Sequence, residues 1–175
     1  MEEEINHTLA EKTLSAETVV AAVDFLSKRI AAGAFDERIA DLSPDGAVRY
    51  KELAAVMLSR EYIEYKLSTE LGEGFFTPYR TKPPHNQKSI CVRAMPLGTL
   101  LHIAAGNIDG LPAFSLAEGL LTGNINIVKL PQADNGLTLM LITSLLEIEP
   151  ALSDFIYVFD TPSADLAALK KMAVM

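Results

Sequence analysis

Two polar residues stand where apolar strands run out. Asn107 follows Gly106 at the end of "TLLHIAAGN", just before a helix opens at about Leu111-Pro112, and Lys129 closes "INIVKL" twenty-two residues later. At the carboxyl edge of a parallel sheet, where open α/β folds place their ligands, a side-chain amide is a fixed donor to a developing negative oxygen. Such a donor is worth about 3 kcal/mol in a transition state. An ammonium at the same edge suits a ribose hydroxyl or a phosphate. Each residue also has a plainer role open to it. An Asn after glycine tolerates the left-handed backbone of a tight turn, and a Lys ending a buried strand commonly snorkels to the surface. The glycine-rich phosphate fingerprint expected at a strand-to-helix turn is missing here.

Other chemistry is sparse. Cys91 lies in "SICVRAM" between apolar neighbours. Free cysteine in such company is usually buried and inert, so Cys91 is not expected to be a nucleophile. His7, His85 and His102 are scattered, and no Cys or His pair has zinc-ligand spacing. His102, inside an apolar strand, reads as a core or sheet residue. There is no phosphate-cradling G-x-x-x-x-G-K-[ST] loop, no G-x-S-x-G elbow and no H-E-x-x-H. The carboxylates of "LSRE" and "EYIEY" read as a solvated helix face.

The elements that must position these residues follow from periodicity. Residues 1–14 are acidic and polar and are expected to be a loosely attached lead-in. From Ser15, an N-cap, Val19, Val23, Leu26 and Ile30 recur at helical spacing until Gly33. A second helix is expected from Val48 to Leu71, with Tyr50, Leu53, Met57 and Ile63 facing inward. "GEGFFTPYRTKPPHNQK" reads as a connecting arm. After Lys88, short apolar strands alternate with helices: "SICVRAM", "TLLHIAAG", a helix with Pro112 in its first turn, "INIVKL", the helix "DNGLTLMLITSLLEI", "DFIYVF", and a helix from Thr161-Pro162. Strands alternating with helices at this rhythm predict βαβ units and a parallel sheet. The expected fold is therefore α/β: a helical segment over 1–72, an arm over 73–88, and over 89–175 an incomplete Rossmann-like domain expected to be cut short on its last helix.

Bulk properties limit the function. Across 175 residues, 49% are apolar and 22% charged, which suits a globular chain. A net charge of −8 argues against general nucleic-acid binding, which needs a basic face. A single cysteine excludes an internal disulfide and fits a reducing compartment. Neither a secretory signal nor a membrane-spanning run is present, so a cytoplasmic location is expected.

The segment "PLGTLLHIAAGNIDGLPAFSLAEGLLTGNINIVKLP" resembles the cofactor-domain start of the aldehyde dehydrogenase superfamily. With "AGN" before the helix and Ser115 within it, it is most similar to the long-chain acyl-CoA reductases, over about residues 89–173. The resemblance implies that acyl-CoA is reduced to aldehyde through a cysteine thioester. It makes Asn107 the oxyanion-hole asparagine and Lys129 the lysine on the adenosine ribose. It puts Gln132 where many NAD-preferring relatives carry a glutamate, so NADP(H) is favoured while NAD(H) stays open. The family's nucleophilic cysteine belongs to a later domain, so these 175 residues alone are expected to be inactive. The alternative is a non-catalytic module that assembles with a second polypeptide, or with copies of itself, through an open sheet edge.

Overall fold

In a computed structural model, the structure describes residues 1–41, 44–72, 74, 77–85, 88–104, 110–132, 136–162 and 164–174. The order of elements is α1 (Glu2–Glu11), α2 (Ala16–Ala31), α3 (Asp36–Ile39), α4 (Pro44–Met57), α5 (Arg60–Leu71), β1 (Tyr79–Thr81), β2 (Ile90–Val92), β3 (Thr99–Ile103), α6 (Leu111–Leu121), β4 (Ile125–Lys129), α7 (Leu137–Ile148), a 3-10 turn (Pro150–Phe155), β5 (Ile156–Phe159) and α8 (Leu166–Ala173). Strands β3, β4 and β5 form a parallel sheet in that order, while β1 and β2 form a separate antiparallel pair. The architecture is α/β, as the alternating pattern predicts.

The sheet is centred on β4, all five of whose residues are buried. That is why "INIVKL" carries no polar alternation: a central parallel strand is covered on both faces. α6 packs on β3 and β4, and α2 packs in turn on α6 and α7. α2 owes this place to its stripe. Val19, Val20, Val23, Leu26 and Ile30 are all buried, and each contributes roughly 1.5–3 kcal/mol relative to exposure. Its start is fixed by Ser15, whose Oγ accepts from Thr18 N–H at 3.4 Å. One apolar core, from Ile5 through Val23, Leu116 and Leu141 to Ile127, joins the helical front to the sheet.

Several local expectations are corrected. Residues 1–14 are not a loose lead-in: α1 buries Ile5 and Thr8, and Lys12 pairs with Asp154 at 2.5 Å. The helix expected over Val48–Leu71 is two helices. Ser59 turns extended (ψ 146°) and caps α5 by accepting from Tyr62 N–H at 3.3 Å. Leu53, expected inward, is exposed, whereas Ile63 is buried. The charges there are not only solvated. Arg60 of α5 bridges Glu17 of α2 and Glu64, and Lys66 pairs with Glu118 of α6. The arm supplies β1, whose Arg80 pairs with Cys91, and Cys91 is exposed rather than buried. α8 begins later than Thr161-Pro162, because Asp165 caps it by accepting from Ala168 N–H at 3.0 Å.

Candidate functional site at the carboxyl edge of the sheet

In a parallel sheet all strand ends of one kind lie together, and here the register aligns them closely. Ile103, Lys129 and Phe159 are the last residues of β3, β4 and β5 and sit side by side. Lys129 is therefore the central residue of the carboxyl edge. It is only 2% exposed, and its interactions lie within the fold rather than in solvent. A side chain buried to this extent does not reach solvent, so this is not a snorkelling residue. Gln132 follows in the loop after β4 and is exposed. The two are thus brought to the end of one strand. Asn107 lies outside the described residues.

A second polar group stands behind this edge. Side chains alternate along a strand, so Leu100 and His102 of β3 share the α6-facing side of the sheet with Asn126 of β4. Asn126 is fully buried. Its Nδ2 donates to the Asn124 carbonyl at 2.7 Å, which leaves Oδ1 to face His102 Nε2 at 2.9 Å. An amide oxygen can only accept, so Nε2 carries a hydrogen, and in the neutral imidazole Nδ1 has the lone pair. Ser115 Oγ lies 2.8 Å from Nδ1 and therefore donates to it. Gly119, one turn beyond Ser115 on α6, makes room for this: a Cβ there would collide with the Asn126 carboxamide.

The helical front shapes the approach. Tyr50 of α4 stacks obliquely on Phe114, with centroids 6.1 Å apart. Its hydroxyl sits against Gly110, where φ is +70° and any side chain would strike the phenol. Met57, His102, Ile103, Leu111, Phe114 and Ser115 then line an open pocket of about 380 Å3. A narrower pocket between α5 and α6, walled mainly by Ile63, Leu67, Phe114 and Leu121, has the Lys66–Glu118 pair among its lining.

Charge elsewhere holds helices together. The Lys28 ammonium, bonded at 2.6 Å, and the Arg60 backbone N–H, at 3.0 Å, keep the Asp24 carboxyl below its usual range. The Glu118 carboxylate raises Lys66. Burial, helped by Glu4 and Asp154, raises the Tyr157 phenol. Among the described residues, no group of His, Cys, Asp and Glu could hold a metal ion. Cys91 belongs to β2, outside the parallel sheet.

Sequence reasoning placed His102 in the sheet but missed its partners. The available signal was Asn126, an amide between the apolar Ile125 and Ile127 of β4, since buried polar groups are hydrogen-bonded.

A three-stranded parallel sheet backed by helices, with Lys129 at its carboxyl edge and Gln132 in the loop that follows, defines an α/β protein. A sequence model of the family described as acyl-CoA reductase (LuxC) matches residues 12–174. The chain belongs to that family. The match extends well forward of residues 89–173 and takes in the helical front. A search of curated proteins finds no match.

Proposed function

We propose that the chain is the amino-terminal part of an NAD(P)H-dependent acyl-CoA reductase of the aldehyde dehydrogenase type, and that its three-stranded sheet begins a Rossmann-like cofactor domain. The observation that carries this is Lys129 at the centre of the carboxyl edge, in register with the ends of both neighbouring strands. An ammonium there and an exposed neutral amide at Gln132 are a donor set suited to ribose hydroxyls. Lys129 would hold the adenosine ribose and Gln132 would border its 2′ position, so NADP(H) is the favoured cofactor. A bound nicotinamide supplies the hydride. Asn107 would steady the thiohemiacetal oxygen, a role in which one donor is worth about 2.7–4 kcal/mol.

Cys91 is not the nucleophile in this scheme, because it sits on β2 and not at the sheet's carboxyl edge. The 175 residues alone are accordingly proposed to lack reductase activity. A cytoplasmic location is part of the same proposal, favoured by the single cysteine. No helix among the described residues is long and apolar enough to cross a membrane.

The test is a fluorescence titration of NADPH and NADH against the protein translated from the whole reading frame. Lys129→Met, checked for an unchanged melting profile, should weaken both by roughly tenfold, about 1.4 kcal/mol. Gln132→Glu should weaken NADPH more than NADH. Binding indifferent to both substitutions would remove the cofactor assignment.

One observation favours the second reading, an assembly module. Among the described residues β3 and β5 each have one strand neighbour, and Leu97 and Ile103 are exposed beside β3. Such an edge can pair with another chain. Sedimentation of the isolated chain, compared with a variant carrying Ile103→Lys, distinguishes a self-associating edge from a monomer.

A further inference from the structure

The Ser115–His102–Asn126 chain of hydrogen bonds has the order of parts that activates a hydroxyl: a nucleophile, a base with a free lone pair, and an acceptor that fixes the base's tautomer. Three features distinguish it from a merely satisfied core histidine. The tautomer is forced, because Asn126 commits its Nδ2 to the Asn124 carbonyl. The Ser115 hydroxyl is directed to His102 at 2.8 Å, although a helical serine commonly bonds back to the preceding turn. And the array is not sealed: Ser115 and His102 both line the pocket of about 380 Å3 whose other walls include the apolar Met57, Ile103, Leu111 and Phe114 and the exposed Glu118. Leu111 opens α6, the end at which a helix favours developing negative charge.

We infer that Ser115 is an acyl acceptor, with His102 as its general base and Asn126 as the positioning residue, acting on an ester or thioester whose apolar chain enters this pocket. The Ser115 Oγ bonds to the carbonyl carbon while its proton passes to His102 Nδ1. The bond to the alkoxide or thiolate then breaks, and that leaving group takes the proton from His102. Water repeats the sequence, with His102 again as base, and releases a carboxylic acid and free Ser115. No oxidant, reductant or cysteine takes part, so this activity is separate from the reductase reading and can be tested without it.

The experiment treats the folded 175-residue chain with a fluorophosphonate probe and, separately, with p-nitrophenyl butyrate. The expected result is one probe per chain, mapped to Ser115, together with turnover of the ester. Ser115→Ala should abolish labelling, and His102→Gln should slow it by about 100-fold or more. A chain that is not labelled, or is labelled equally after Ser115→Ala, overturns the inference and leaves the array a structural clamp. If His102→Gln fails to fold, Ser115→Cys in a Cys91→Ser background decides instead. A thiol beside the free Nδ1 should be alkylated by iodoacetamide at pH 6 about tenfold faster than a model thiol. A thiol that reacts no faster than the model overturns the proposal.

Discussion

Replacing Gly119 with alanine sets two local effects against each other. Glycine inside a helix costs about 1 kcal/mol relative to alanine, so propensity alone predicts that the substitution stabilises α6. The structure predicts the opposite. A Cβ at position 119 would collide with the Asn126 carboxamide and stand 3.2 Å from Leu100 Cδ1. Asn126 cannot swing aside freely, because Oδ1 accepts from His102 and Nδ2 donates to the Asn124 carbonyl. Overpacking of this kind costs about 1–3 kcal/mol, and each hydrogen bond lost adds about 1 kcal/mol. After the gain in helix propensity, the net loss is about 1–4 kcal/mol. For a chain of this size, every 1 kcal/mol lowers the melting temperature by about 2–4 °C. Urea unfolding followed by far-ultraviolet circular dichroism reads the difference. The decisive control is the same substitution in an Asn126→Ser background, where the carboxamide is gone and Gly119→Ala should cost less or even stabilise. If Gly119→Ala stabilises the chain with Asn126 intact, the tight α6–β4 packing and the amide's assigned orientation are both wrong.

Two further outcomes follow from the helical front. Asp24 is ionised more readily in the fold than in the unfolded chain, chiefly through Lys28 and then Arg60. Its stabilisation is therefore complete above about pH 4, the unfolded value, and lost as pH falls through the lower folded value. Asp24→Asn should cost about 0.3–1 kcal/mol at pH 7, and the gap from the parent should close in urea titrations carried toward pH 2. Ile5→Ala removes a side chain that is wholly buried and should cost about 2–5 kcal/mol by denaturant unfolding. No loss would mean that α1 is not docked on the core.

The sheet half was legible because its elements carry local signals. Pro112 opens a helix, an unbroken apolar run marks a central strand, and Glu149-Pro150 closes α7. What stayed hidden depends on contacts distant in sequence. α1 buries only Ile5 and Thr8, so its polar composition masked its docking. The break at Ser59 hides in a continuous helical pattern, although a serine cap was there to be read. The ladder between β1 and β2 and the exposure of Cys91 come from tertiary pairing alone. In the site, Lys129 could be found from its place at a strand end. The Ser115–His102 bond could not, because it depends on the rotation of α6 over the sheet, which Gly119 permits.

In the proposed function this chain contributes an oxyanion donor, Asn107, and a ribose contact, Lys129, to an acyl-CoA reductase. The measurement that tests it most directly is acyl-CoA-dependent oxidation of NADPH by the protein of the whole reading frame, followed at 340 nm with the aldehyde trapped and identified. The account predicts aldehyde formed in step with NADPH consumed, and a kcat lower by about 100- to 1,000-fold in Asn107→Ala. No acyl-CoA-dependent consumption, or a rate untouched by Asn107→Ala, would contradict it.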